Sequence, residues 1–215
     1  MREGLTELVF ILDKSGSMRG LEDETVNGFN RMLKKQKRMC SDALVTTVLF
    51  DDNVNIVHDR ISLDEMRFMT KEDYCPDGCT ALLDAVGKTI RGIRKIHKTL
   101  PEDACPEKTL VVIMTDGLEN ASHEYTYDKV KKMIEKRKNK HHWEFVFLGA
   151  NMDTIKVAAQ IGVDANRCVG YECSSDGLSD VYESISDMVS CSIKSKGYEA
   201  LKKNLDMVNS KRRGD

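Results

Sequence analysis

The chain has 215 residues, 40% of them hydrophobic and 32% charged, enough for one large α/β domain and short for two. Its 33 Lys and Arg against 35 Asp and Glu leave a formal net charge of −2, and so even a balance speaks against a general nucleic-acid binder. No run reaches the ~18 apolar residues of a membrane span, and Met1 to Glu7 hold no apolar signal segment, so a cytoplasmic protein without membrane contact is expected.

Leu8-Val9-Phe10-Ile11-Leu12 is an unbroken apolar run, the pattern of a parallel strand buried on both faces. Val26, Phe29 and Leu33 then recur at helical spacing, and the basic end at Lys34, Lys35, Lys37 and Arg38 complements the helix dipole. A second strand runs from Ala43 to Phe50, followed by the turn cluster Asp51-Asp52-Asn53. Val54 and Ile56 alternate with polar residues as a third, half-exposed strand. A connection this short forces an antiparallel hairpin, because a parallel return needs a crossover of a dozen residues or more.

Leu83, Val86, Ile90 and Ile93 mark the next helix, and Thr99 to Glu107, with two of the three prolines, reads as a loop. Leu110 to Met114 is strand four. A helix through Val130, Met133, Ile134 and Arg137 and a strand from Glu144 to Leu148 follow. The Lys and Arg run from Lys129 to Lys140 reads as a solvated helix face. A short helix stops at Gly162, a residue suited to a left-handed cap. Strand six is Arg167 to Gly170, and Leu178, Val181, Ile185, Met188 and Ile193 make a long final helix. Residues 1–195 form one domain in this reading. Residues 196–215 are a basic tail, partly helical through Leu201, Leu205 and Val208 or frayed, whose closing Arg213-Gly214-Asp215 is taken as coincidence. Strands alternating with helices imply a doubly wound α/β sheet.

Seven cysteines at scattered spacing fit reduced thiols. Cys75 and Cys79 invite a zinc reading, but no second ligand pair accompanies them, and two loop thiols are the simpler account.

The chemistry concentrates in three turns. Asp13-Lys14-Ser15-Gly16-Ser17 follows strand one, Thr80 stands in Asp77-Gly78-Cys79-Thr80-Ala81-Leu82, and Thr115-Asp116-Gly117 follows strand four. Two acids and three hydroxyls, with neither His nor Cys among them, make a hard-cation set. Taken singly, each fragment is also what a loop at a strand end contains. Other chemistries fit less well. No Gly-Lys-Ser/Thr follows a strand, no GxGxxG does, and Ser15 stands where an aspartyl phosphatase would carry its second Asp. The five histidines show no Ser–His–Asp logic.

D-x-S-x-S after the first strand, a lone Thr mid-chain and T-D-G after the fourth together resemble the metal-ion-dependent adhesion site of the von Willebrand factor A family, over about residues 5–190. The chain looks like a compact, stand-alone bacterial member. The resemblance implies a Rossmann-like, mostly parallel six-stranded sheet of order 3-2-1-4-5-6, with strand three antiparallel at the edge. In that order strands one and four are neighbours at the switch point, where ligands of open α/β sheets bind. It also implies Mg2+ or Mn2+ held by Asp13, Ser15, Ser17, Thr80 and Asp116, with the two acids acting largely through water. The partner would be a protein presenting Asp or Glu, with no nucleic acid involved. Lys14, Gly16, Gly117, Glu119 and Asn120 stand around this set. Lys14 is expected to point into solvent, Gly16 and Gly117 to permit tight turns, and Glu119 and Asn120 to support the ligands from behind. Three readings stay open: a binding module without catalysis, a metal-dependent hydrolase, and a subunit serving an intracellular AAA+ ATPase or metal-stress complex.

Overall fold

A computed structural model describes residues 1–38, 42–150, 152–196 and 203. Cys40 and, apart from residues 196 and 203, the expected tail with Leu201, Leu205, Val208 and Arg213-Gly214-Asp215 lie outside the described residues.

The strands are β1 (Arg2–Asp13), β2 (Ala43–Phe50), β3 (Val54–Ser62), β4 (Pro106–Thr115), β5 (Trp143–Gly149) and β6 (Cys168–Gly170). They form one sheet in the order β3-β2-β1-β4-β5-β6. All neighbours are parallel except β2 and β3, as the three-residue turn between those two requires. The helices are α1 (Glu22–Arg38), α2 (Leu82–Thr99), α3 (Tyr127–His141), α4 (Met152–Gln160) and α5 (Ser175–Lys194). This is the expected doubly wound fold.

The period-two alternation of a strand divides β1 between two cores. Leu8, Phe10 and Leu12 pack with Phe29 and Leu33 of α1 and Leu178, Tyr182 and Ile185 of α5. Val9 and Ile11 pack with Val86 and Ile90 of α2 and Val130 and Ile134 of α3. Burial on both faces explains why β1 reads as a continuous apolar run. Phe10 meets Phe29 edge to face, with centroids 5.3 Å apart. Gln36, wholly buried between α1 and α5, donates through Nε2 to the Ser186 carbonyl at 3.0 Å.

Two stretches differ from the sequence reading. β1 and β4 extend well before their apolar runs, Arg2 pairing with Pro106, because ladder hydrogen bonds do not require apolar side chains. Part of the expected Thr99–Glu107 loop is thus strand. Residues 63–79 carry no helix or strand, yet Leu63, Met66, Met69 and Tyr74 complete the α1–α5 core. Gly162 has φ +86 and ends its helix as expected.

Register places the functional turns. Asp13 lies opposite Phe50 and Leu12 opposite Met114, so the chain leaves β1, β2 and β4 at one level. The turns after these strands therefore meet over the β1/β4 junction.

Candidate metal centre

Asp13 is the last residue of β1 and only 2% exposed. Its carboxylate is fixed on both oxygens: Oδ1 accepts the Ser15 N–H at 2.7 Å and Oδ2 accepts the Thr115 hydroxyl at 2.5 Å. The first bond bends the chain back and aims Ser15 and Ser17 together, their Oγ atoms 2.9 Å apart. Ser17 Oγ donates to Asp116 Oδ1 at 2.6 Å. Thus Asp13, Ser15, Ser17 and Asp116 form one hydrogen-bonded chain across two turns.

Thr80 completes the cluster from a third turn. It is 3% exposed. Its N–H donates to Asn120 Oδ1 at 2.8 Å and its carbonyl accepts the Asn120 N–H at 3.1 Å, a two-point clamp. Glu119 accepts the Leu83 N–H at 2.8 Å, capping α2 just beyond Thr80. The two residues expected behind the ligands therefore hold the Thr80 segment. Gly117 shows how close the turns come: a Cβ there would lie 2.6 Å from Thr80 Oγ1 and 3.4 Å from Ser17 Oγ.

The glycines act differently from expectation. Neither Gly16 nor Gly117 has a positive φ; Gly78 does, at +70. Gly117 is needed for close approach. Gly78 is needed for conformation and for space, since a Cβ would meet Asp52 Oδ2 at 2.1 Å. Lys14 is also a correction. Its side chain folds onto Asp51 instead of pointing to solvent, because the β2 turn brings that carboxylate against it. Asp51 and Asp52 do more than turn the chain. The Asp51 carbonyl accepts the Ala81 N–H at 2.9 Å and Asp52 Oδ2 accepts the Cys79 N–H at 3.1 Å, mooring the Thr80 loop to β2.

Burial pushes the Asp13 carboxyl up to about 6, against the hydrogen bonds from Thr115 and Ser15, and the neighbouring Asp116 adds to the rise. Among the described residues no group of three or more His, Cys, Asp and Glu side chains is placed to hold a metal ion. The two carboxylates fall short of that, so a cation here would depend on the hydroxyls of Ser15, Ser17 and Thr80. That all-oxygen donor set, gathered from three turns with two carboxylates, fits Mg2+ or Mn2+.

Sequence reasoning missed three residues. Thr115 orients Asp13. Tyr74, buried, donates to the Asp13 carbonyl at 2.6 Å. Cys173 donates to Asp116 Oδ2 at 3.5 Å, and burial first, then Asp116, pushes its thiol up to about 11. Only Thr115 had a signal, its place beside Asp116. Cys75, Cys79, Cys105 and Cys173 are free thiols, and Cys75 and Cys79 are exposed.

No protein-family model matches the sequence, and no curated protein does. Solved structures match by shape. The PilB minor pilin from Streptococcus sanguinis superposes with a TM-score of 0.62 at 13% identity, covering 87% of this chain and 61% of the pilin. The chain thus spans less than two thirds of that protein. The vWF domain of the type V pili tip protein Mfa5 from Porphyromonas gingivalis gives 0.62 at 11% identity, over 90% of this chain and 98% of that one. A von Willebrand factor type A structure from Catenulispora acidiphila gives 0.57 at 16% identity, over 89% and 43%. At such identities the likeness is one of fold: the chain has the architecture of a von Willebrand factor A domain.

Proposed function

We propose that the chain is a protein-binding module that holds one Mg2+ or Mn2+ at Asp13, Ser15, Ser17, Thr80 and Asp116 and engages an Asp or Glu carboxylate of its partner. The observation that carries this reading is the convergence of those five side chains from three turns at the β1/β4 junction. When bound, the cation supplies an electrophilic point with a coordination position open to an anion. The chain's own residues do the rest. Ser15 N–H and Thr115 hold Asp13 in one orientation, Asn120 holds Thr80, and the Asp51–Lys14 pair keeps the lysine's charge turned to the β2 side.

The reading is of binding without turnover. Both Asp13 oxygens already accept hydrogen bonds, which leaves that carboxylate poorly placed to act as a base; a metal-dependent hydrolase is the alternative. The free thiols of Cys75, Cys79, Cys105 and Cys173 suit a reducing compartment. Among the described residues no helix is long and apolar enough to cross a membrane. A cytoplasmic location is part of this proposal and rests on the thiol chemistry, and service to a larger assembly such as an AAA+ ATPase is open to it.

The experiment is a pull-down from an extract of the source cell with wild type, Thr80→Ser and Thr80→Ala, each in Mg2+ and in EDTA. Partners should be captured by wild type and largely by the serine variant in Mg2+, and lost with alanine or EDTA. Capture that ignores both changes would place the interaction surface elsewhere.

A further inference from the structure

At the opposite end of the sheet a second concave site carries the reverse charge. A cavity of 420 Å3 opens between the carboxyl ends of α2 and α3, beside the start of β4. Arg94, Lys98, Lys136, Arg137 and Lys140 line it, together with His97, and no Asp or Glu does. A neighbouring cavity of 350 Å3 shares Arg94, Lys136 and Arg137, again without an acid in its lining.

Cations at helix carboxyl ends have an ordinary explanation, since they offset the helix dipole. Two helix ends supply about one unit of negative charge in total, whereas five Lys and Arg side chains converge here. Among the described residues none of the five has an ion pair or a hydrogen-bond acceptor. Arg137 makes the case specific. It is 6% exposed, and the exposure it keeps is to the two cavities, where its guanidinium, with five donors, faces Arg94 instead of an acid. A guanidinium presented to a recess with no acceptor among the described residues is available to an anion from solution. Burial and then Arg94 draw the Arg137 pKa down. Burial and then the surrounding cations do the same to His141.

We propose that this cavity binds a compact anion carrying two or more phosphoryl groups, with Arg137 at its floor and Arg94, Lys98, Lys136 and Lys140 around it. A guanidinium matches phosphate oxygens in pairs, and several phosphoryl groups are needed to answer five cations. The volume is that of a small-molecule site. A recess closing on a buried arginine admits a small anion, whereas a duplex backbone would be tracked by an exposed basic stripe.

The molecule carries its own reporter. Trp143 is its one tryptophan, and its ring meets His97 edge-on at 5.7 Å. Tripolyphosphate, a nucleoside triphosphate and orthophosphate are each titrated in EDTA at about 0.1 M salt, followed by Trp143 fluorescence and calorimetry. One site per chain is expected, with tripolyphosphate at least about tenfold tighter than orthophosphate. Arg137→Leu and Arg94→Gln should each weaken it by at least about tenfold. Lys131→Gln, on the same helix but packed against Gly162, should leave it unchanged. A nucleoside triphosphate bound tighter than tripolyphosphate identifies a nucleotide as the source; equal or weaker binding identifies an inorganic polyphosphate. If Arg137→Leu fails to fold, Arg94→Gln at the rim carries the result. The proposal is overturned if binding is not saturable, or if Lys131→Gln weakens it as much as Arg94→Gln. It is also overturned if a duplex oligonucleotide binds where tripolyphosphate does not.

Discussion

The molecule buries charge in two contrasting ways. At Glu7 the charge is closed. This β1 carboxylate is wholly buried and accepts from Arg60 on β3 and His97 on α2. Arg60 reaches it from a bulged stretch of β3 with φ +51, a strained backbone held by its surroundings. At Asp13 and Arg137 the charge is open: the acid is surrounded by hydroxyls and another acid, the base by other bases. The difference teaches how to separate structural charge from functional charge in one fold. A closed pair stabilises the native state, and an open group costs stability until something binds.

The largest effect should come from breaking the closed charge. Glu7→Ala leaves Arg60, whose side chain is 13% exposed, without its partner, and should cost roughly 3–5 kcal/mol in denaturant unfolding. The open acid should show the opposite sign. The Asp13 carboxyl is raised to about 6 in the fold from an ordinary 3.8. Between those values the native state holds more protons than the unfolded chain, so stability falls as pH rises. In EDTA the loss from pH 4 to 6 should be roughly 2 kcal/mol. Asp13→Asn should flatten this slope and melt at or above wild type at pH 7. If stability rose over this window through Asp13, the group would be closed after all. The smallest effect is expected at the open base. Arg137→Met should change stability without added anions by no more than about 0.5 kcal/mol, or raise it. A loss of several kcal/mol would put Arg137 with Glu7.

How far these regions could be read from sequence follows the same division. Asp13, Ser15, Ser17 and Asp116 were legible because each stands just past an apolar run, and a parallel strand's carboxyl end is where such a fold presents ligands. Thr80 follows no apolar run; it was singled out as a hydroxyl in an isolated turn and gained weight from the family pattern. Tyr74 and Cys173 act across 61 and 57 residues of chain, and residues 63–79 have no periodicity to announce that they complete a core. Arg137 belongs to the Lys129–Lys140 run, yet it also falls at the helical spacing of Val130, Met133 and Ile134. That run reads as a solvated face and its lysines largely are exposed; Arg137 departs because α2 packs over it, a fact of tertiary placement. Lys14 was misread for a similar reason, since its partner Asp51 arrives from another strand.

The most direct measurement is of the cation itself. Protein stripped with EDTA is titrated with Mg2+ and with Mn2+ by calorimetry, and its melting is compared with and without each ion. The account predicts one ion per chain and a rise in Tm equivalent to about 2.7 kcal/mol at a hundredfold excess over Kd, both abolished by Asp116→Ala. Identical melts with EDTA and with either ion, and no heat of binding, would contradict it.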